Sequence, residues 1–294
     1  MKIHILPVPA YLRPATGFVW PPGNTDYGVE QDFLEWLRAQ YETLAIEPGE
    51  ADWHYLPVFW NRYYLNAGLG TAYTEPSAAL ADGIAAAIID PARTFTICEF
   101  DPYRLTRNVN LDGVTVFTGN RTGERGIDIP ILRNVMYPRG PVKERRWLAS
   151  FIGHNGTHKM RLDMFRELGY HRDVHCEHGN RGAEVFGRLM RSSYVALAPR
   201  GDGAQSFRLY EAMEYGTVPL YLSDIDGRPF RRWLDWDAVS LYRDTTAGLY
   251  DYLAAQDKAQ LLDMGNAART MYYDHLQYGR WCPYVLKELE CLTG

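Results

Sequence analysis

Ser193-Tyr194-Val195-Ala196-Leu197-Ala198-Pro199-Arg200-Gly201-Asp202-Gly203-Ala204-Gln205-Ser206-Phe207-Arg208-Leu209-Tyr210-Glu211-Ala212-Met213-Glu214-Tyr215-Gly216 reads as a strand, a loop with two glycines, and a helix. A helix N-terminus presents free N–H groups with the helix dipole behind them, and so favours an anion. Gly201 and Gly203 let the backbone approach that anion closely. Arg200 and Arg208 add guanidiniums that suit phosphate geometry, and Ser206 adds a hydroxyl in the first turn. Arg208 and Glu211 share one helix face. The rise from Ser206 to Glu211 is roughly 7.5 Å at ~1.5 Å per residue, about the span from a diphosphate to the ribose of one nucleotide. A carboxylate accepts from both hydroxyls of a ribose diol. The same spacing also fits a plain surface ion pair between Arg208 and Glu211. Leu209, Ala212 and Met213 supply a buried face, and Gly216 a C-terminal stop.

Working outward, short β-branched and aromatic runs alternate with helical patterns, the mark of an α/β fold. In the second half, strands are expected at 147–152, 173–176, 194–198, 218–222 and 238–242. Helices are expected at 159–168, 183–191, 205–215 and 246–254. That order predicts a doubly wound, Rossmann-like parallel sheet. The first half predicts strands at 2–6, 53–59, 94–98 and 114–117, with helices at 29–44 and 76–89. The stretch 121–146 is rich in Gly, Pro and Arg, and Pro138-Arg139-Gly140-Pro141 reads as a linker. The expected domains are 1–140, 141–257 and a helical tail at 258–294 that packs across both. Two such halves would face a cleft.

Composition narrows the classes. The 294 residues are 46% hydrophobic, 14% aromatic and 23% charged, which excludes disorder as the main state. The net charge of −5 gives no global field for nucleic acid. Four cysteines without a CxxC are too few for a disulfide scaffold. Met1 runs straight into a short strand pattern, with no signal h-region, and no segment reaches membrane-spanning length. A cytoplasmic location is the expectation.

Ser193 to Asp237 resembles the signature of exostosin-type glycosyltransferases, glycosyltransferase family 47. The elements that carry it are Pro199-Arg200-Gly201, the Ser206-Phe207-Arg208-Leu209-Tyr210-Glu211-Ala212 helix and the strand Val218-Pro219-Leu220-Tyr221-Leu222-Ser223-Asp224. Pro229-Phe230 and Leu234-Asp235-Trp236 complete it. Tyr27-Gly28-Val29-Glu30, Ala51-Asp52-Trp53-His54-Tyr55-Leu56-Pro57-Val58-Phe59-Trp60 and Gly126-Ile127-Asp128-Ile129-Pro130 are similar to segments of the family's first half. The resemblance implies a GT-B fold, a UDP-linked sugar donor bound in the second domain, and inversion at the anomeric carbon. It implies diphosphate contacts from Arg200, Ser206 and Arg208, and ribose contacts from Glu211. The compact chain is most similar to the anchor-free, stand-alone members of microbes and large algal viruses. Xylose is the favoured donor sugar among xylose, glucuronic acid, galactose and arabinose.

Inverting transfer needs a base on the acceptor hydroxyl and stabilisation of the leaving diphosphate. Glu75 is the expected base, with Glu99 and Asp101 as alternatives. Gly153 and His154, with His158, open another strand–loop–helix mouth in the donor domain, with capping by Asn155 or Thr157 as the plainer reading. Gly201, Gly203 and Phe207 complete the expected donor site. Trp60, Arg62 and Tyr63 are candidates for an acceptor platform. No cofactor or metal is expected; the expected partners are a nucleotide sugar and a glycan acceptor. Two other readings stay open. Asp224 and Asp226 form a DxD that would serve a metal-dependent, GT-A-like transferase, and a non-catalytic nucleotide- or glycan-binding module would keep the same fold. His171, His175, Cys176 and His178 form a further ligand-like cluster, without zinc spacing.

Overall fold

The structure is a computed structural model and describes residues 1–14, 28–40, 42–62, 78–100, 109–133 and 144–293. The chain divides into two units: Met1–Pro130 with Trp281–Gly294, and Ile131–Arg280. The expected linker at 138–141 lies outside the described residues. The expected tail is not one piece, because its last helix joins the first unit and the rest joins the second.

The first unit is a parallel sheet of β1 (Ile3–Ile5), β2 (Trp53–Tyr55), β3 (Thr94–Cys98), β4 (Thr115–Thr118) and β5 (Ile127–Asp128), in that order. Helix α1 (Val29–Arg38) buries Val29, Phe33, Leu34 and Leu37. It is shorter than the expected 29–44 because the sheet claims the chain beyond it. Ile3 N–H donates to Thr43 O at 2.8 Å and Ala45 N–H donates to Ile3 O at 2.9 Å. Strand β2 stops early because Pro57 has no N–H and the chain turns there, Val58 N–H donating to Leu56 O at 3.0 Å. Helix α2 (Ala78–Ala87) follows.

The second unit holds β6 (Trp147–Gly153), β7 (Val174–His178), β8 (Ser193–Pro199), β9 (Val218–Leu222) and β10 (Leu241–Arg243), all parallel, in the order β10-β9-β8-β6-β7. Helices α3 (Lys159–Leu168), α4 (Gly182–Arg191), α5 (Phe207–Glu214), α6 (Leu249–Ala254) and α7 (Lys258–Met271) belong to it. β6 and β8 are adjacent although β7 lies between them in the chain, so the winding reverses at that pair. Ligands of such sheets bind beyond the carboxyl ends of the two strands that flank the reversal. Val195, Leu197, Val218, Leu220 and Leu222 form the sheet side of the core, against Met164, Leu168, Leu249 and Leu253.

The last helix, α8 (Cys282–Thr293), follows Trp281, which is fully buried in the first unit. Its ring lies 5.8 Å from Phe33, and its indole N–H donates to Asp32 Oδ2 at 3.0 Å.

Candidate functional site

The carboxyl ends of β6 and β8 bring together the segments read from sequence as the donor site. The loop 200–206 leaves β8 and leads into α5. Ser206 is the N-cap rather than a first-turn residue, its hydroxyl accepting from Arg208 N–H at 3.3 Å. Neither Gly201 nor Gly203 needs a left-handed backbone. Gly153 closes β6 where a Cβ would meet the Phe151 ring at 2.8 Å. That ring lies 5.8 Å beneath the guanidiniums of both Arg161 and Arg208. His154 is exposed and packs edge-on against His178 with centroids 5.5 Å apart.

Arg161, on α3, ties the two strand ends together and was not singled out by sequence reasoning. Its Nε donates to Arg200 O at 2.9 Å, Nη1 to His154 O at 2.7 Å, and Nη2 to Pro199 O at 3.3 Å. Burial first, then the Arg208 cation, hold it down to about 10, so it stays charged at neutral pH. Its position three residues into a helix carries no local signal, since the carbonyls it collects come from two other segments.

Glu211 is the centre of the site. It is buried, and its two oxygens face two arginines: Oε2 lies 3.2 Å from Arg208 Nη1, and Oε1 lies 3.2 Å from Arg133 Nη1. The plain surface pair considered from sequence is therefore replaced by a buried bracket. Arg208 also donates through Nη2 to Ile152 O and lies 4.0 Å from the Phe186 ring centroid. Arg133 lies 5.5 Å from the Phe207 ring centroid. Glu211, Arg133, Phe207, Tyr210, Ile131 and Tyr272 line a small pocket. A carboxylate keeps lone pairs beyond the two used by the arginines, so it retains acceptors for a ligand.

The aspartates of the DxD are engaged by arginines. Asp224 pairs with the buried Arg200, whose Nε also donates to Gly203 O at 3.1 Å. Burial opposes ionisation of Asp224, but the Arg200 contact outweighs it and holds the carboxyl below its usual value. Asp226 Oδ2 lies 2.9 Å from both Arg228 and Arg231. Each aspartate thus has a cationic partner where the metal reading needs a cation. Among the described residues no group of three or more His, Cys, Asp or Glu is gathered as a metal would require. The 171–178 cluster is dispersed. His171 stacks on Tyr250 at 3.4 Å, and on β7 the strand alternation sets His175 on the face opposite Cys176 and His178. Burial pushes the Cys176 thiol up to about 12, so it is no ready thiolate ligand.

Helix α3 is capped by His158, not by Asn155 or Thr157: its Nδ1 accepts from Met160 N–H at 3.3 Å. Burial, then the nearby Arg200 cation, push His158 below its ordinary 6.5. A lowered folded-state value means that the capping contribution is present above pH 6.5 and is lost as pH falls below it. Protonation also removes the Nδ1 acceptor. Thermal melting between neutral pH and pH ~5 is expected to show a His158-dependent loss of stability. In His158→Asn, which keeps a capping oxygen, this component is expected to flatten; an unchanged pH profile would discard the assignment.

In the first unit, Trp60 and Arg62 are not presented to an acceptor, contrary to expectation. Trp60 is core, its indole donating to Thr96 Oγ1 at 2.8 Å. Arg62 is buried, donating to Pro14 O at 2.9 Å and lying 4.9 Å from the Phe59 ring centroid. Both serve packing because the strand-end loop turns inward at Pro57. Glu99, just after β3, is buried and accepts from Asn61 Nδ2 at 3.2 Å. Buried Glu30 accepts from Asn61 N–H at 3.2 Å and Glu99 N–H at 3.1 Å, fixing the ends of β2 and β3 together. Glu75, Asp101 and Tyr63 lie outside the described residues.

The profile of the Exostosin GT47 domain matches residues 2–247, and the chain belongs to that family. Each of its two units is a parallel α/β sheet, as the GT-B reading of the sequence expects. Exostosin-1 of Drosophila melanogaster is 33% identical over 82 residues, covering 27% of this chain and 10% of that protein. Exostosin-1 of Mus musculus is 28% identical over 140 residues, covering 42% of this chain and 18% of that protein. The chain thus matches only a small part of these relatives. A solved glycosyltransferase from Rickettsia africae is 8% identical with a TM-score of 0.38, covering 99% of this chain and 98% of that one, a faint likeness. No helix among the described residues is long and apolar enough to cross a membrane.

Proposed function

We propose that this domain transfers a sugar, with inversion, from a UDP-sugar to a hydroxyl of a glycan acceptor. The observation that carries the reading is Glu211, buried between Arg133 and Arg208 about one and a half helical turns from the Ser206 cap. Glu211 holds the ribose hydroxyls, and the start of α5 with Ser206, Gly201, Gly203 and Arg200 faces the diphosphate. Gly153 and His154 border the same strand ends, and Phe207 walls the Glu211 pocket. Arg208 acts through Glu211, because its guanidinium is turned to that carboxylate and to Ile152 O.

The departing diphosphate gains charge as the bond to C1 breaks. A helix N-terminus and fixed guanidiniums stabilise that charge without reorganising. This route requires no metal. The base that takes the acceptor proton is Glu75, Glu99 or Asp101; of these, Glu99 is held at a strand end by Asn61 and Glu30. Xylose is the favoured donor sugar.

A thermal-shift panel of UDP and UDP-sugars, followed by product analysis on glycan acceptors, tests this reading. A ligand at about 100 times its Kd adds roughly 2.7 kcal/mol of stability. UDP and one UDP-sugar are expected to raise the melting temperature, with transfer that survives a chelator. No shift with any UDP ligand would overturn the reading. A UDP shift without turnover would favour a binding module, and loss of activity to chelator with manganese rescue a metal-dependent transferase.

A further inference from the structure

The loop after β9 builds a second cavity, of about 480 Å³, lined by Arg228, Arg231, Arg232, Trp233, Asp235 and Asp237 among others. It shares no lining residue with the Glu211 pocket. Its floor is fixed. Arg228 donates through Nε and Nη2 to Asp226 at 3.0 and 2.9 Å, and through Nη1 to Asp237 at 2.9 Å. The Arg228 guanidinium lies 4.8 Å from the Tyr242 ring centroid, and the Trp236 indole donates to Pro229 O at 2.6 Å.

The chain is strained to make this shape. Phe230 is the one non-glycine residue at positive φ among the described residues, at 55°, with its side chain buried. Such strain persists where the surroundings over-determine it, commonly at ligand clamps. Both Trp233 N–H and Leu234 N–H donate to Phe230 O, at 2.8 and 2.9 Å. Within the turn so closed, Trp233 is 38% exposed, while Leu234 and Trp236 are buried.

Charge decides the class of ligand. The three lining arginines are balanced by two lining aspartates, Asp235 and Asp237, and by Asp226, which lies outside the lining but pairs with both Arg228 and Arg231. A phosphate or polyanion site would carry a cationic excess, and an apolar ligand would not be met by guanidinium and carboxylate. A partly exposed tryptophan in the cavity lining, beside balanced donors and acceptors, matches a neutral sugar, which has one apolar C–H face and a rim of hydroxyls.

We propose that this cavity is a neutral-saccharide subsite that engages a glycan chain outside the nucleotide pocket, with Trp233 as its stacking platform. The proposal rests on the glycosyltransferase reading for its biological use, but its binding test does not. The probes are xylo-oligosaccharides and cello-oligosaccharides, from disaccharide to hexasaccharide, titrated by calorimetry with UDP titrated in parallel. One neutral series is expected to bind saturably to the full chain. Trp233→Ala is expected to weaken it about tenfold, with UDP affinity unchanged and Trp233→Phe restoring most of the loss. Melting curves report whether Trp233→Ala folds. Should it not, Trp233→Gln at the same half-exposed position gives the same comparison. The subsite is overturned if neither neutral series binds, if Trp233→Ala (or Trp233→Gln in its place) binds as the parent does, or if only oligogalacturonates bind. UDP binding by the parent protein persists in each of those results if the function reading holds, and its absence would strike that reading instead.

Discussion

Trp281→Ala is expected to destabilise the first unit by about 4 kcal/mol, because a large-to-small change at a fully buried tryptophan loses both transfer energy and packing. Trp281 follows every other described element in the chain except α8, yet it sits among the first unit's earliest elements. Phe33 of α1 touches it, and the same Phe33 ring meets Tyr55 at 5.1 Å and Phe95 at 6.0 Å. One wedge therefore joins the C-terminal helix to α1, β2 and β3. Its N–H also serves the Asp32 carboxylate at 3.0 Å. Trp281→Phe keeps a ring and loses that hydrogen bond, so about 1 kcal/mol is expected. Chemical denaturation measures both, and equal losses for the two variants would show that the hydrogen bond, not the packing, matters.

The role of the last helix was only half legible. Its Leu and Tyr content marked it as packing against something, but the partner lies some 250 positions back in sequence, where no periodicity reaches. The same limit appears elsewhere. Strand β3 and helix α3 were readable to the residue because a β-branched run and a clean apolar face bounded by Gly169 announce themselves locally. Strand β5 has two residues and offers no period to read. The pattern carries helix α1 on to residue 44, but Thr43 and Leu44 are claimed by β1. In the candidate site, Arg200, Ser206 and Glu211 stood out because they share one strand–loop–helix unit. Arg133 and Arg161 did not, because their partners are carbonyls and a carboxylate on other segments. The misreading of Trp60 and Arg62 has the same origin: an aromatic or a cation near a strand end looks alike whether the loop turns outward or inward.

Glu211→Ala is expected to lower both stability and nucleotide affinity, and the two losses can be separated. Glu211 is buried, and its removal leaves Arg208 and the less buried Arg133 facing each other without a carboxylate. Breaking a buried ion pair by deleting one partner costs about 3 kcal/mol or more. For a unit of this size that is roughly 6–12 °C in melting temperature. If the carboxylate also holds the ribose, UDP binding loses a charged hydrogen bond, about 1.5–3 kcal/mol, which is roughly a tenfold to hundredfold rise in Kd. Glu211→Gln keeps the shape and one acceptor but removes the charge that both arginines need. Arg133→Ala removes one brace and leaves the carboxylate with Arg208. A ribose-binding Glu211 predicts that Arg133→Ala costs stability with a smaller change in UDP affinity, while Glu211→Gln weakens UDP even where the protein still melts as a folded chain. If UDP affinity instead tracks melting temperature across all three variants, Glu211 is a structural keystone of α5, and the ribose contact must come from another residue of its pocket.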